Sequence, residues 1–232
     1  MKFAVFVTIW SAGVSTGDLE SSYANEPLAF LKQQDAVQSV EFYTPEPGDV
    51  PKLDDIPAPD LIVQIDVDDL NSAQALTESD KFKKLFLDKT AQAAPIEKIN
   101  LEILQPVNYA LPGQESAEAR TAPFSFVVRY YGPVNDLAQF VDFYTTNHPP
   151  ILAKFPGIKN VFCYLPVDWE AGGKIKDDSI VIGNEVVFED LDTFKKALAT
   201  DVLKEAMADA ELFQEYGYST HHAMHREFVY QR

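Results

Sequence analysis

The residues of this chain best suited to proton chemistry are its four histidines, 148, 221, 222 and 225, and none lies before position 148. His148 is the leading candidate. It stands four residues after Tyr144 and seven after Val141, which places it on the apolar stripe of a helix and not on the solvent face. Pro149 and Pro150 follow it and lack amide hydrogens, so a carbonyl at about Tyr144 or Thr145 is left open to another donor. They are expected to interrupt the helix. An imidazole beside a cavity titrates near neutral pH and can move a substrate proton. Its plainer role is a helix-end histidine that bonds to backbone and holds a kink. Tyr144, on the same stripe, and Arg129, a charge inside the apolar run 124–131, complete the catalytic candidates.

His221, His222 and His225 invite a metal reading that geometry opposes. In a strand, 221 and 225 are ~13 Å apart at the usual rise per residue, and 221 and 222 point to opposite faces. The run HHAMH also lacks the glutamate of a metalloprotease motif. No metal site is expected; His221 is instead a candidate cavity-lining residue. Glu185 is expected to pair with Arg129, because the matching residues earlier in the chain, Thr8 and Gln64, are both neutral. Tyr130, Tyr131 and Trp169 add aromatic surface for a substrate, with Trp169 beside Gly172 and Gly173 as a candidate lid. Cys163 lies among apolar strand residues and reads as a core thiol. Asp66, Asp68 and Asp69 lack the glycine and distant glutamate of a calcium loop and read as a solvated strand end with a helix cap.

The elements that must position these residues form two similar sets. Residues 3–10 align with 124–131, 40–45 with 161–166, and 69–86 with 190–207, all at an offset of 121. A constant offset over separate blocks indicates an internal duplication. Each half reads strand, helix, strand, strand, helix, strand. The first half has strands at 3–10, 38–43, 61–67 and 98–104, with helices around 21–33 and 72–87. The second has strands at 124–131, 159–165, 179–188 and 219–230. Its first helix carries Leu137, Phe140, Val141 and Tyr144, and its second is broken near Thr200-Asp201. Residues 107–123 have linker composition. The domains expected are 1–106, a degenerate repeat; 107–123, a linker; and 124–232, the repeat with the site. The fold class is α+β: two tandem ferredoxin-like (βαββαβ) units whose sheets pack as an α+β barrel.

Composition excludes several partners. A net charge of −17 argues against nucleic acid and anionic membrane. Apolar content of 46% and charged content of 24% are ordinary for a globular chain. A single cysteine allows no intrachain disulfide and fits a reducing, cytoplasmic setting. FAVFVTIW after Met1-Lys2 has the look of a signal peptide, yet the same pattern recurs internally at 124–131. No segment has the Gly-rich or nucleophile-elbow pattern of nucleotide or serine hydrolase chemistry.

Residues 140–158, FVDFYTTNHPPILAKFPGI, resemble the EthD family of dimeric α+β barrel proteins. The resemblance rests on Tyr144, His148, Pro149, Pro156 and Gly157 in their order and spacing. The first half keeps Tyr23, Pro27 and Leu28, with Glu26 in the histidine's place and no Pro-Gly turn. The resemblance implies a tandem member with one degenerate copy and a small-molecule cavity between helices and sheet. It also implies cofactor-free oxidation or proton-transfer chemistry on a small aromatic or polyketide-like compound, with His148 as general base. Two alternatives stand beside it. One is a non-catalytic binding or scaffold barrel. The other is a haem-binding tandem barrel with His148 as axial ligand. A homodimer and a pseudo-dimeric monomer both fit.

Overall fold

The structure is a computed structural model that describes residues 2–51, 54, 56–89, 95–168 and 179–232. Two compact units emerge. One comprises Met1–Pro45, Ala58–Gln105 and Arg226–Arg232, the other Glu46–Pro57 and Pro106–His225. Each thus holds a short piece from the other sequence half.

The first unit runs β1 (Phe3–Ser11), α1 (Thr16–Ala24), α2 (Glu26–Leu31), β2 (Val37–Pro45), β3 (Leu61–Val67), α3 (Leu70–Glu78), α4 (Asp80–Phe82) and β4 (Ile96–Tyr109). Its pairings are antiparallel, β1 with β3 and β4, and β3 with β2, giving the order β4-β1-β3-β2. The second runs β5 (Phe124–Tyr131), α5 (Leu137–Leu152), β6 (Ile158–Pro166), β7 (Ile180–Phe188), α6 (Leu191–Leu198), α7 (Asp201–Ala210) and β8 (Tyr218–Gln231). β5 pairs with β7 and β8, and β7 with β6, so the order is β8-β5-β7-β6. Several element boundaries keep the offset of 121. Thr16 and Leu137 open the first helix, Leu31 and Leu152 end that region, and Pro45 and Pro166 close the second strand. Leu70 and Leu191 then open the next helix, each capped by an aspartate.

Local chemistry explains where the elements depart from the sequence expectation. The helix around 21–33 starts earlier and is split at Asn25, whose backbone leaves the helical region just before Glu26-Pro27. The helix at 72–87 breaks at Ser79, which caps α4, and finishes in a π turn, Lys83–Leu87, closed by Asp88 N–H on the Lys83 carbonyl. The expected interruption at Pro149-Pro150 does not occur; α5 continues to Leu152. Both prolines fall in its last turn, so they remove the donors to the Thr145 and Thr146 carbonyls only where the helix is about to end. The Thr145 carbonyl, which has no donor in Pro149, accepts from the Tyr109 hydroxyl at 3.3 Å. The strand at 98–104 extends to Tyr109, and Val107, Tyr109 and Leu111 pack on the second unit's core instead of forming linker.

That core is the helix-side face of the second sheet, with Phe124, Phe126, Val128 and Tyr130 under α5, α6 and α7. Phe194 of α6 meets Phe126 at 4.7 Å and Phe124 at 5.0 Å between ring centres. Gly157, at φ +80, makes the turn into β6, and a Cβ there would lie 2.5 Å from Thr193. No helix among the described residues is long and apolar enough to cross a membrane.

Candidate functional site

α5 delivers His148 to the interior through a buried stripe, Leu137, Phe140, Val141, Tyr144 and His148. α7 delivers its partner. Val202, Ala206 and Asp209 share one face of that helix, and Asp209 is buried with Ala206. Asp209 Oδ2 lies 2.8 Å from His148 Nδ1, and each side chain is less than a tenth exposed. An ionised carboxylate can only accept, so Nδ1 carries the proton and Nε2 keeps a lone pair. Burial pulls the imidazole below its ordinary value, and the opposing effect of Asp209 does not restore it. His148 is therefore neutral at pH 7, the form a base requires.

Aromatic rings surround the pair. The Tyr144 ring is 4.9 Å from the imidazole, and Tyr130 of β5 is 5.3 Å from Tyr144. Phe213, in the turn after α7, stands edge to face with His148 at 5.2 Å and 76°. The Tyr144 hydroxyl is buried near Tyr130, Cys163 and Tyr109, with no well-formed hydrogen bond among the described residues. Burial raises its pKa far above the usual phenol value. The same surroundings push the Cys163 thiol up to about 12, so it stays protonated. Phe213 also lines a cavity of about 130 Å³ with Gln139, Phe140, Phe143, Leu212 and Gln214.

Other candidates lie on the opposite face of the sheet. Arg129 sits across from Gly183, and Glu185 across from Val127, so both charges share one face. Glu185 takes its ion pair from Arg120 at 2.9 Å, and accepts from Tyr164 at 2.7 Å and Ser125 at 2.6 Å. The Arg129 Nη1 donates to the Val128 and Asn184 carbonyls, with its guanidinium 5.2 Å above the Tyr164 ring. Gly183 makes this possible, since a Cβ there would lie 2.9 Å from Arg129 Nη1. Tyr131 stacks on Tyr218 at 4.7 Å, one residue away from Tyr130 and so on the other side of the sheet.

Segment 46–57 accounts for two of the β8 histidines. His221 Nδ1 meets Asp54 at 2.9 Å, and His225 meets Glu46 at 3.5 Å. His222 faces the other way and is buried, which pushes its pKa down to about 4; the charge of Arg129 contributes. Among the described residues no group of three metal-ligating side chains converges. Trp169, with Gly172 and Gly173, lies outside the described residues.

The structure therefore gathers His148, Tyr144 and Tyr130. Arg129, Glu185 and Tyr131 occupy the opposite face, and His221 is tied to Asp54. Sequence reasoning missed Asp209, Phe213 and Arg120. Asp209 had a signal: a lone acid at the Val202/Ala206 stripe of an amphipathic helix. Arg120 sits in a polar stretch with no periodicity and had none.

No family model matches the sequence, and no curated protein matches it. Solved structures do. An anthrone oxidase-like protein is similar over 98% of this chain and 93% of its own, with a TM-score of 0.61 and 12% identity. A candidate monooxygenase from Lactobacillus acidophilus NCFM covers 97% and 93%, with a TM-score of 0.55 and 10% identity. A variant chlorite dismutase from Candidatus Nitrospira defluvii covers 96% and 91%, with a TM-score of 0.54 and 13% identity. At these identities the likeness is one of fold alone.

Proposed function

We propose that this chain is a small-molecule enzyme of EthD-like type, built from two tandem ferredoxin-like repeats, with His148 as the proton-accepting group. The observation that carries the reading is the 2.8 Å contact between His148 Nδ1 and Asp209, two buried side chains in an aromatic shell. A carboxylate on Nδ1 fixes the tautomer and supports positive charge on the ring when Nε2 takes a proton. Oxidation and isomerisation of an aromatic or polyketide-like compound share this first step. An activated methylene that gives its proton to Nε2 becomes an enolate. With dioxygen as oxidant, CH₂ and O₂ then yield C=O and water, and no cofactor is needed for electron balance. The similarity to an anthrone oxidase-like fold makes this the branch to test first.

Haem fits the pair poorly. Asp209 on Nδ1 suits an axial histidine, but Tyr144 and Phe213 pack on the imidazole at 4.9 and 5.2 Å. The adjoining cavity of about 130 Å³ is far smaller than a four-pyrrole macrocycle. A binding-only role has one observation in its favour: Phe213 stands between that cavity and His148.

The test uses 1,8-dihydroxyanthrone, following oxygen uptake and quinone absorbance. The expected result is uptake above the buffer rate that falls at least ~10²-fold in His148→Gln. A fully active His148→Gln protein ends the base assignment. No turnover of anthrones or enolisable diketones by the unaltered protein leaves the binding role.

A further inference from the structure

The cavity bounded by Phe213 has a size and lining that specify a ligand, and the inference rests on the reading of His148 above. We infer that it is the recognition site for a single neutral phenolic ring, and that Phe213 is the wall between that ring and His148. Size is the first argument. An apolar cavity of about 150 Å³ holds one benzene, and this one measures about 130 Å³. It seats one six-membered ring, and its open side, edged by the exposed Leu212, leaves the rest of a larger molecule outside.

Lining is the second argument. Phe140, Phe143 and Phe213 supply aromatic walls, with Phe213 at 77° to Phe143 and 65° to Phe140. Such edge-to-face walls suit a further aromatic ring. Two carboxamides supply the polar edge. Gln214 Nε2 donates to the Asp136 carbonyl, which leaves its Oε1 to accept. Gln139 is exposed, and its side chain makes no hydrogen bond among the described residues. A phenol hydroxyl can donate to either amide oxygen. Charge is the third argument. No cation lines the cavity, and the chain carries −17, so a benzoate or sulfonate is disfavoured against a neutral phenol.

Phe213 belongs to both places. Its ring lies 5.2 Å from His148 and 5.2 Å from Tyr144 while forming the cavity wall. It sits in a turn past α7, with its N–H on the Ala210 carbonyl, and not within a regular element. Rotation of this one side chain joins the cavity to the His148–Asp209 pair.

The experiment titrates 4-fluorophenol into the full chain and reads its ¹⁹F shift. One saturable site with Kd on the order of 1 mM is expected. Leu212, 69% exposed at the cavity edge, is replaced as Leu212→Trp, which plugs the site without disturbing the core and weakens binding at least tenfold. Phe213→Ala enlarges the site and speeds diethyl pyrocarbonate modification of His148. Absence of saturation, saturation by tetramethylammonium in place of the phenol, or equal binding by Leu212→Trp overturns the site. Should Phe213→Ala not fold, the Leu212→Trp comparison still decides. Fluorophenol binding as expected alongside a fully active His148→Gln protein would overturn the proposed function and keep this site. The reverse pattern, His148-dependent turnover without phenol binding, would keep the function and overturn the site.

Discussion

In the first unit Tyr43 donates to Gln64 at 2.7 Å; in the second, 121 residues on, Tyr164 donates to Glu185 at the same distance. The scaffold of the contact is retained and a charge is added, supported by Arg120. The same substitution pattern recurs across β1 and β5. Thr8 faces Ile62, whereas Arg129 faces Gly183, so a larger side chain on one strand accompanies a vacated one on its neighbour. Tyr23 and Tyr144 are both buried, each with a hydroxyl that has no well-formed hydrogen bond among the described residues. Their neighbours then diverge. The offset sets Pro27, not Glu26, opposite His148, and Asp88 opposite Asp209. Asp88 is exposed, while Asp209 is buried against an imidazole. The matching positions thus carry an acid in both units, but Asp88 follows the π turn with extended backbone, whereas Asp209 lies within α7 and meets His148.

The largest expected effect tests that asymmetry. Asp209→Asn replaces the carboxylate with an amide that can donate to Nδ1 and so no longer fixes the His148 tautomer, and turnover should fall ~10²- to 10⁴-fold. Asp88→Asn should leave turnover unchanged. The pH profile supplies the sign. His148 must be unprotonated to act, and burial sets its pKa below the ordinary value. Activity should therefore be flat through neutral pH and fall only in acid. A profile that still rises above pH 7 would contradict this assignment.

A stability measurement sharpens the Gln64–Glu185 contrast. Glu185→Gln leaves the Arg120 guanidinium, 7% exposed, without its carboxylate. Breaking a buried pair from one side costs about 3–5 kcal/mol, whereas replacing both partners is far milder. Chemical denaturation should show that loss in Glu185→Gln and recovery of much of it in Glu185→Gln with Arg120→Leu. A single variant as stable as the unaltered chain would mean that the charge is not held by this contact.

The order of strands and helices along the chain and the inward face of α5 were legible because they are local or periodic. Apolar residues at Phe140, Val141 and Tyr144 mark a helix face without reference to any partner. The His148–Asp209 contact was not legible, because it joins residues 61 apart and depends on how α5 packs on α7. The Arg129–Glu185 expectation found the correct face of the sheet, since register follows from alternation. One partner of Glu185 that the sequence did not indicate, Arg120, comes from a stretch whose path no periodicity encodes. The prolines of α5 were read by their intrinsic effect, and their position in the last turn reduced it.

His222 offers the next contrast. Its counterpart by offset, Leu101, cannot titrate and is partly exposed. Burial pushes the His222 pKa down to about 4, with Asp54 opposing and His221 and Arg129 assisting. The unfolded chain then binds the proton near pH 6.5 and the folded chain does not. Stability from this residue is intact above pH 6.5 and declines as pH falls toward 4, by at most about 3 kcal/mol. His222→Gln should flatten that decline, and Leu101→Gln should not. An identical pH dependence in His222→Gln would show that other groups govern acid sensitivity.

The smallest effect concerns what the two units still share. Asp69 caps α3 and Asp190 caps α6 with nearly the same backbone, φ/ψ of −157/168 and −159/171. Each accepts from the amide three residues on, at 2.9 Å from Ser72 and 2.7 Å from Thr193. Hydrogen bonds hold both carboxyls below the ordinary range, the Ser72 amide foremost for Asp69 and the Thr193 side chain foremost for Asp190. Neither cap touches the chemistry, so both should answer only to helix-end physics. Asp69→Ala and Asp190→Ala are each expected to lower Tm by about 2–4 °C, and by matching amounts. A markedly larger loss at Asp190 would mean that α6 carries strain from holding the core beneath the site, so that the asymmetry reaches beyond the His148–Asp209 pair into the scaffold itself.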